Sequence, residues 1–91
     1  MKRAIKHNVA ANRFEWTESG YLCVLEYVLS DATMNIVHTD VPAQVGGKGI
    51  AADLANAALD TARENGWRVI PSCSYVAVHI RRHKQYQDLL A

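Results

Sequence analysis

Gln44-Val45-Gly46-Gly47-Lys48-Gly49 separates two stretches of opposite periodicity. Upstream, apolar residues alternate as in strands. From Ile50 they recur at helical spacing, with Ile50, Leu54, Ala58 and Ala62 flanked by Ala51, Ala55 and Leu59. The six residues therefore join a strand to a helix. Glycine lets a backbone approach a ligand closely. The first N–H groups of a helix lack internal partners, and the helix dipole is positive there. Such a junction suits a pyrophosphate, and Lys48 adds charge.

Other phosphate loops fit less well. A Walker loop requires Ser or Thr after its Lys, but Gly49 follows Lys48. Gly47-x-Gly49-x-x-Ala52 satisfies the dinucleotide spacing. However, the next strand runs into Pro71 rather than an acidic ribose ligand, and the preceding elements are not successive parallel units. A plain turn before a helix is the alternative without function.

Downstream, Asp53, Asn56, Asp60, Arg63 and Glu64 form the helix's predicted wet face. Asn65-Gly66 is a helix stop. Trp67–Ile70 reads as a short buried strand closed by Pro71. Ser72-Cys73-Ser74 offers caps for a last helix starting near Tyr75. Upstream, Ile5–Val9 and Arg13–Thr17 are strand candidates, the latter with Phe14 and Trp16 on one face. Glu18-Ser19-Gly20 is a turn. Tyr21–Leu29 is apolar on both faces except at Glu26, as expected for a central strand covered on both sides. After Ser30-Asp31-Ala32, Thr33–Val41 runs to Pro42. The predicted class is α/β (α+β). It has a mostly antiparallel mixed sheet, one strand–loop–helix–strand crossover and a C-terminal helix.

The 91 residues suit one domain, 1–91, too small for a large internal cavity. A net charge of +1 gives no global field for nucleic acid. A weaker reading nonetheless assembles Arg3, Arg13, Lys48, Arg81 and Arg82 as a nucleic-acid surface. No run reaches the roughly 18–20 apolar residues of a membrane span. Met1-Lys2-Arg3 is not followed by a signal-peptide core. Cys23 and Cys73 make no disulfide framework, so both are expected free in a reducing, cytoplasmic setting.

Gln44-x-x-Gly47-x-Gly49 resembles the Gln/Arg-x-x-Gly-x-Gly/Ala signature of the GNAT acetyltransferase superfamily. His38-Thr39-Asp40-Val41-Pro42, Gly47-Lys48-Gly49-Ile50-Ala51 and Leu54 are similar to the first half of a small single-domain GNAT subfamily. Pro71-Ser72-Cys73-Ser74-Tyr75-Val76, Ile80-Arg81-Arg82-His83 and Tyr86-Gln87-Asp88-Leu89 are similar to its second half. Asp40 stands where Glu is commoner, and Ser74 and Lys84 where prolines are common. The resemblance implies a GNAT-like acyl-CoA N-acyltransferase fold, splayed between Thr33–Val41 and Trp67–Ile70. It implies acetyl-CoA as cofactor, held at Val41, Gln44, Val45, Gly46, Gly47, Lys48, Gly49 and Ile50. The activity implied is acetyl transfer to an amine, on a small molecule or a protein. The chain length leaves no room for the N-terminal helices that usually shape the acceptor site, so an open or undefined acceptor pocket is expected. The alternative is a module that binds acyl-CoA with little or no transfer.

Transfer from a thioester to an amine requires the amine to lose a proton. It also needs donors for an oxyanion and favours protonation of the leaving thiolate. Backbone N–H groups near Thr39–Val41 are the donors that the resemblance implies. Cys73, beside a predicted helix start that would lower its pKa, is a candidate nucleophile or neighbour of the coenzyme sulfur. Its bland reading is a small residue filling a tight turn. His38 and Asp40 alternate with Thr39 and share one strand face, as a base for the amine or as a solvated strand end. Tyr75 stands where many GNAT domains carry a proton-donating tyrosine; the alternative is a core tyrosine with a bonded hydroxyl. Cys23 reads as inert core. His79 and His83 are four apart, but lack a third metal ligand and are expected to be exposed helix residues. Arg81-Arg82 is either a contact for the coenzyme's 3′-phosphate or a solvated face.

Overall fold

The computed structural model describes residues 3–91. Four strands, β1 (Lys6–Asn8), β2 (Arg13–Glu18), β3 (Tyr21–Ser30) and β4 (Thr33–Asp40), form the expected antiparallel meander. Helix α1 (Ile50–Asn65) crosses back to β5 (Arg68–Pro71), which pairs parallel to β4. The spatial order is β1-β2-β3-β4-β5. Helix α2 (Ser74–Arg82) and a 3-10 segment, Lys84–Leu89, complete the chain. Leu90 bridges to Val69, and the Ala91 amide donates to the Val69 carbonyl, so the chain's end covers the outer edge of β5. No helix among the described residues is long and apolar enough to cross a membrane.

The turns explain the meander. Ser19-Gly20 and Asp31-Ala32 both hold positive φ at their two central residues. That is the twist a two-residue hairpin needs. Gly66, left-handed at φ 71°, stops α1; its amide and that of Trp67 both donate to the Ala62 carbonyl.

One apolar layer joins the sheet to the helices. Phe14, Cys23, Leu25, Tyr27, Met34 and Ile36 meet the α1 stripe of Ile50, Leu54, Ala55, Ala58, Leu59 and Ala62. The small alanines let α1 lie close to the sheet. Val76 and Ile80 of α2 belong to the same cluster.

Two expectations are corrected. The second face of β3 is not covered by helices: Leu22 and Val28 remain 45% and 54% exposed. Both helices pack on the same side, so double apolarity marked centrality and not a third layer. β5 is not a buried strand either, since only Val69 is buried and Ile70 is exposed. It is a short edge strand with one inward side chain.

The register of β4 decides the site. Glu26 faces His38, but Tyr27 faces Ile36, so β4 carries one extra residue, Val37. A bulge of this kind reverses which residues face the core beyond it. Met34 and Ile36 point into the core before it. After it Thr39, paired with buried Leu25, turns that way, while His38 and Asp40, paired with Glu26 and Val24, turn to the open face.

Candidate functional site

Pairing of β4 with β5 ends at Ile36 and Pro71. The Cys73 amide donates to the Ile36 carbonyl at 2.9 Å, closing the paired region. Beyond it β4 runs on without β5, as expected for a splayed sheet.

At the far end of β4, Val41 and Pro42 are half-buried, and a 3-10 turn, Ala43–Val45, leads into the glycine loop. Val45 and Ile50 are buried at 2% and 1% exposure. They anchor the loop's ends in the core, which leaves only their backbone for a ligand. Gly46, Gly47, Lys48 and Gly49 between them are exposed, as is Gln44 before Val45. Gly47 and Gly49 have φ of 76° and 81°, which L side chains rarely adopt. A Cβ on Gly47 would meet nothing within 4 Å, so it would project into open space. Val45 and Gly46 donate to the carbonyls of Pro42 and Ala43, and the first helical bond runs from the Asp53 amide to the Gly49 carbonyl. The amides of Gly47 through Ala52 find no backbone acceptor among the described residues. Free amides at a helix start are a receptor for phosphate oxygens.

Sequence reasoning missed the residue that braces this loop. Arg3 donates to the Lys48 carbonyl at 2.8 Å and to the Asp53 carboxylate at 2.7 Å. Its Nε lies 3.8 Å from Glu18, which also stands 3.9 Å from the Lys48 ammonium and accepts from the Trp16 indole N–H. No local pattern could have announced a contact spanning some fifty residues.

The second half of the site forms where α2 begins. Cys73 is the N-cap residue, with φ −73° and ψ 123°. Neither Ser72 nor Ser74 caps by side chain, and the Ser72 hydroxyl donates to Asn35 Oδ1 instead. The Cys73 Sγ lies 3.5 Å from Thr39 Oγ1. Burial pushes the thiol's pKa up. The Thr39 hydroxyl and the amides of Val76, Tyr75 and Thr39 outweigh it, leaving the pKa below the ordinary thiol value. Cys23 differs: it is fully buried, and burial, then the Glu18 and Asp40 charges, push its pKa up.

Tyr75 is 39% exposed and not a core tyrosine. Burial of its hydroxyl, then the charges of Asp53 and Cys73, raise its pKa, so it keeps its proton. Its ring lines a groove of about 180 Å³ between α1 and α2, with Ala52, Val78, His79, Arg82 and His83. His79 corrects the expectation of exposed helix histidines. It is 5% exposed, its Nε2 donates to Asn56 Oδ1 at 2.8 Å, and its ring stacks on His83. Asn56 thus leaves the predicted wet face of α1 to satisfy a buried imidazole. Among the described residues no cluster of three His, Cys, Asp or Glu is placed to hold a metal.

Of the residues read as catalytic, Cys73 and Tyr75 come together at the start of α2. His38 and Asp40, both exposed, lie on the opposite face of β4. The basic residues do not form one surface: Arg3 pairs with Asp53, and Arg13 with Glu15. Arg81 and Arg82 are solvated at the end of α2.

Residues 13–89 match the family model described as GCN5-related N-acetyl-transferase. The solution structure of a GCN5-like protein from Staphylococcus aureus superposes on the chain with a TM-score of 0.75. The two are 31% identical over 96% of this chain and 86% of that one.

Proposed function

Because this chain belongs to the GCN5-related N-acetyltransferase family, a family of acyltransferases, we propose that it moves an acetyl group from acetyl-CoA to an amine. The observation that carries the proposal is the loop before α1. Around two glycines at positive φ, the amides of Gly47 through Ala52 find no backbone acceptor among the described residues, and a Cβ at Gly47 would enter open space. Those amides fit the oxygens of a pyrophosphate. Lys48, half-exposed at the rim, lies 3.9 Å from the Glu18 carboxylate.

When bound, acetyl-CoA supplies the acyl group and a thiol leaving group. The chain's own residues do the rest. Cys73, beside the Thr39 hydroxyl and with its pKa held below the ordinary thiol value by that hydroxyl and nearby amides, is the candidate nucleophile or sulfur neighbour. Tyr75 holds a proton within electrostatic reach of Cys73 and can deliver it to a departing thiolate. His38 and Asp40 serve an amine that approaches β4 from its uncovered face.

One observation favours the second reading, an acyl-CoA-binding module without efficient transfer. The Cys73 sulfur has Thr39 as its side-chain partner, and His38 and Asp40 face away from it. A single experiment separates the two: thiol release from acetyl-CoA, followed with a panel of alkylamines, arylalkylamines and lysine peptides, alongside calorimetric binding of CoA. Release with formation of an N-acetyl product supports the transferase. Binding without release across the panel supports the module, and absence of binding refutes both.

A further inference from the structure

We infer that Arg3 is a charge-balancing positioning residue for the glycine loop, without which the Asp53 carboxylate would oppose an anionic ligand at the start of α1. The inference rests on the reading of that loop as a phosphate site.

Asp53 lies in the first turn of α1. A carboxylate there stabilises the helix through its dipole. It also places a negative charge beside the amides that a pyrophosphate would use, so one residue favours the helix and repels its ligand. Glu18 adds a second carboxylate on the neighbouring hairpin, held in place by the Trp16 indole. Against these stand two cations. Arg3 donates to Asp53 at 2.7 Å and lies 3.8 Å from Glu18, while Lys48 lies 3.9 Å from Glu18. The four side chains sum to zero, so the loop's field is left to the helix dipole and the free amides.

The same guanidinium donates to the Lys48 carbonyl at 2.8 Å. It also comes within 4.0 Å of where a Cβ on Gly49 would stand. Arg3 therefore sits against the loop's backbone while it neutralises Asp53. Its side chain is one-fifth exposed, and Asp53's is similar, so solvent screens the pair only in part. A planar fork that reaches a carbonyl and a carboxylate together is chemistry that Lys cannot reproduce.

The test measures CoA affinity by calorimetry for the wild type, Arg3→Ala, Arg3→Gln, Asp53→Asn and the double variant Arg3→Ala/Asp53→Asn. Thermal melts of each check folding. Arg3→Ala is expected to weaken CoA on the order of tenfold. Arg3→Gln, which keeps a donor for the Lys48 carbonyl but loses the charge, should weaken it similarly. Removing the carboxylate in the double variant should restore most of the affinity, an outcome that a merely structural role for Arg3 does not produce. Wild-type affinity in Arg3→Gln, or no recovery in the double variant, overturns the inference. Failure of the wild type to bind CoA refutes instead the reading of the loop itself.

Discussion

Gly47→Val tests most directly the proposal that the glycine loop holds a pyrophosphate. Gly47 sits at φ 76°, where an L residue costs about 1–2 kcal/mol, somewhat more if β-branched. Loss of glycine's freedom in the unfolded chain returns about 0.5–1 kcal/mol. Because an added Cβ meets nothing within 4 Å, no clash adds to this. The variant should therefore fold, about 1 kcal/mol less stable, with Tm lower by roughly 4–8 °C. On the proposed reading, wild-type protein in CoA at about a hundredfold above its Kd should gain about 2.7 kcal/mol, a rise of roughly 10–20 °C. The valine side chain projects into the space a pyrophosphate would need, so the rise should vanish. Gly66→Val is the control: φ is 71°, the space around it is equally open, and it lies at the other end of α1. It should lose comparable stability and keep the full CoA response. The assay is thermal unfolding with and without CoA, followed by circular dichroism. A wild-type CoA shift in Gly47→Val, or its equal loss in Gly66→Val, would show that the loop is not the binding site.

Cys73→Ala should lower acetyl transfer about a hundredfold or more while the CoA-induced Tm rise persists. Full turnover in a variant shown by circular dichroism to be folded would make the thiol a packing group and move attention to Tyr75, His38 and Asp40. Ala32→Gly should stabilise the fold by about 0.5–1 kcal/mol, because Ala32 holds φ 62° in the β3–β4 turn and glycine relieves that strain; an unchanged or lower urea midpoint contradicts this. Burial holds His79 and His7 below the ordinary value of 6.5. The unfolded chain thus takes up these protons first, so their contribution is fully present above about pH 6.5 and declines as pH falls toward the lowered folded values. His79→Gln, which keeps a donor for Asn56, should flatten that decline between urea unfolding at pH 7 and pH 5; an unaltered slope excludes His79 as a source.

Much of the site was legible because its signals are local. Positive φ in the loop follows from Gly47 and Gly49, and the helix stop from Gly66. The start of α2 at Ser74, one residue before the expected Tyr75, follows from the strand-ending Pro71, although neither serine beside Cys73 caps it. The misreadings have a common cause in long-range partners. His79 read as an exposed helix residue because no third metal ligand accompanies it and His83, yet it is buried and Asn56 of another helix satisfies it. Leu22 and Val28 read as a second covered face of β3, yet no element among the described residues covers them. Arg3 looked like surface charge, and its partners lie at Lys48 and Asp53.

The sequence by itself determined the order of elements, the glycine loop between β4 and α1, and the apolar stripe that seats α1 on the sheet. These depend on periodicity and on the conformational limits of Gly and Pro, which act within a few residues. Only the tertiary structure decided which side of β4 faces Cys73. A regular strand would have aligned His38 and Asp40 with Met34 and Ile36, on the same side as Cys73. The extra residue at Val37 reverses the alternation, turns both outward and brings the Thr39 hydroxyl to within 3.5 Å of the sulfur. A bulge is set by how two strands compete for register across a sheet, and nothing within β4 alone records the outcome.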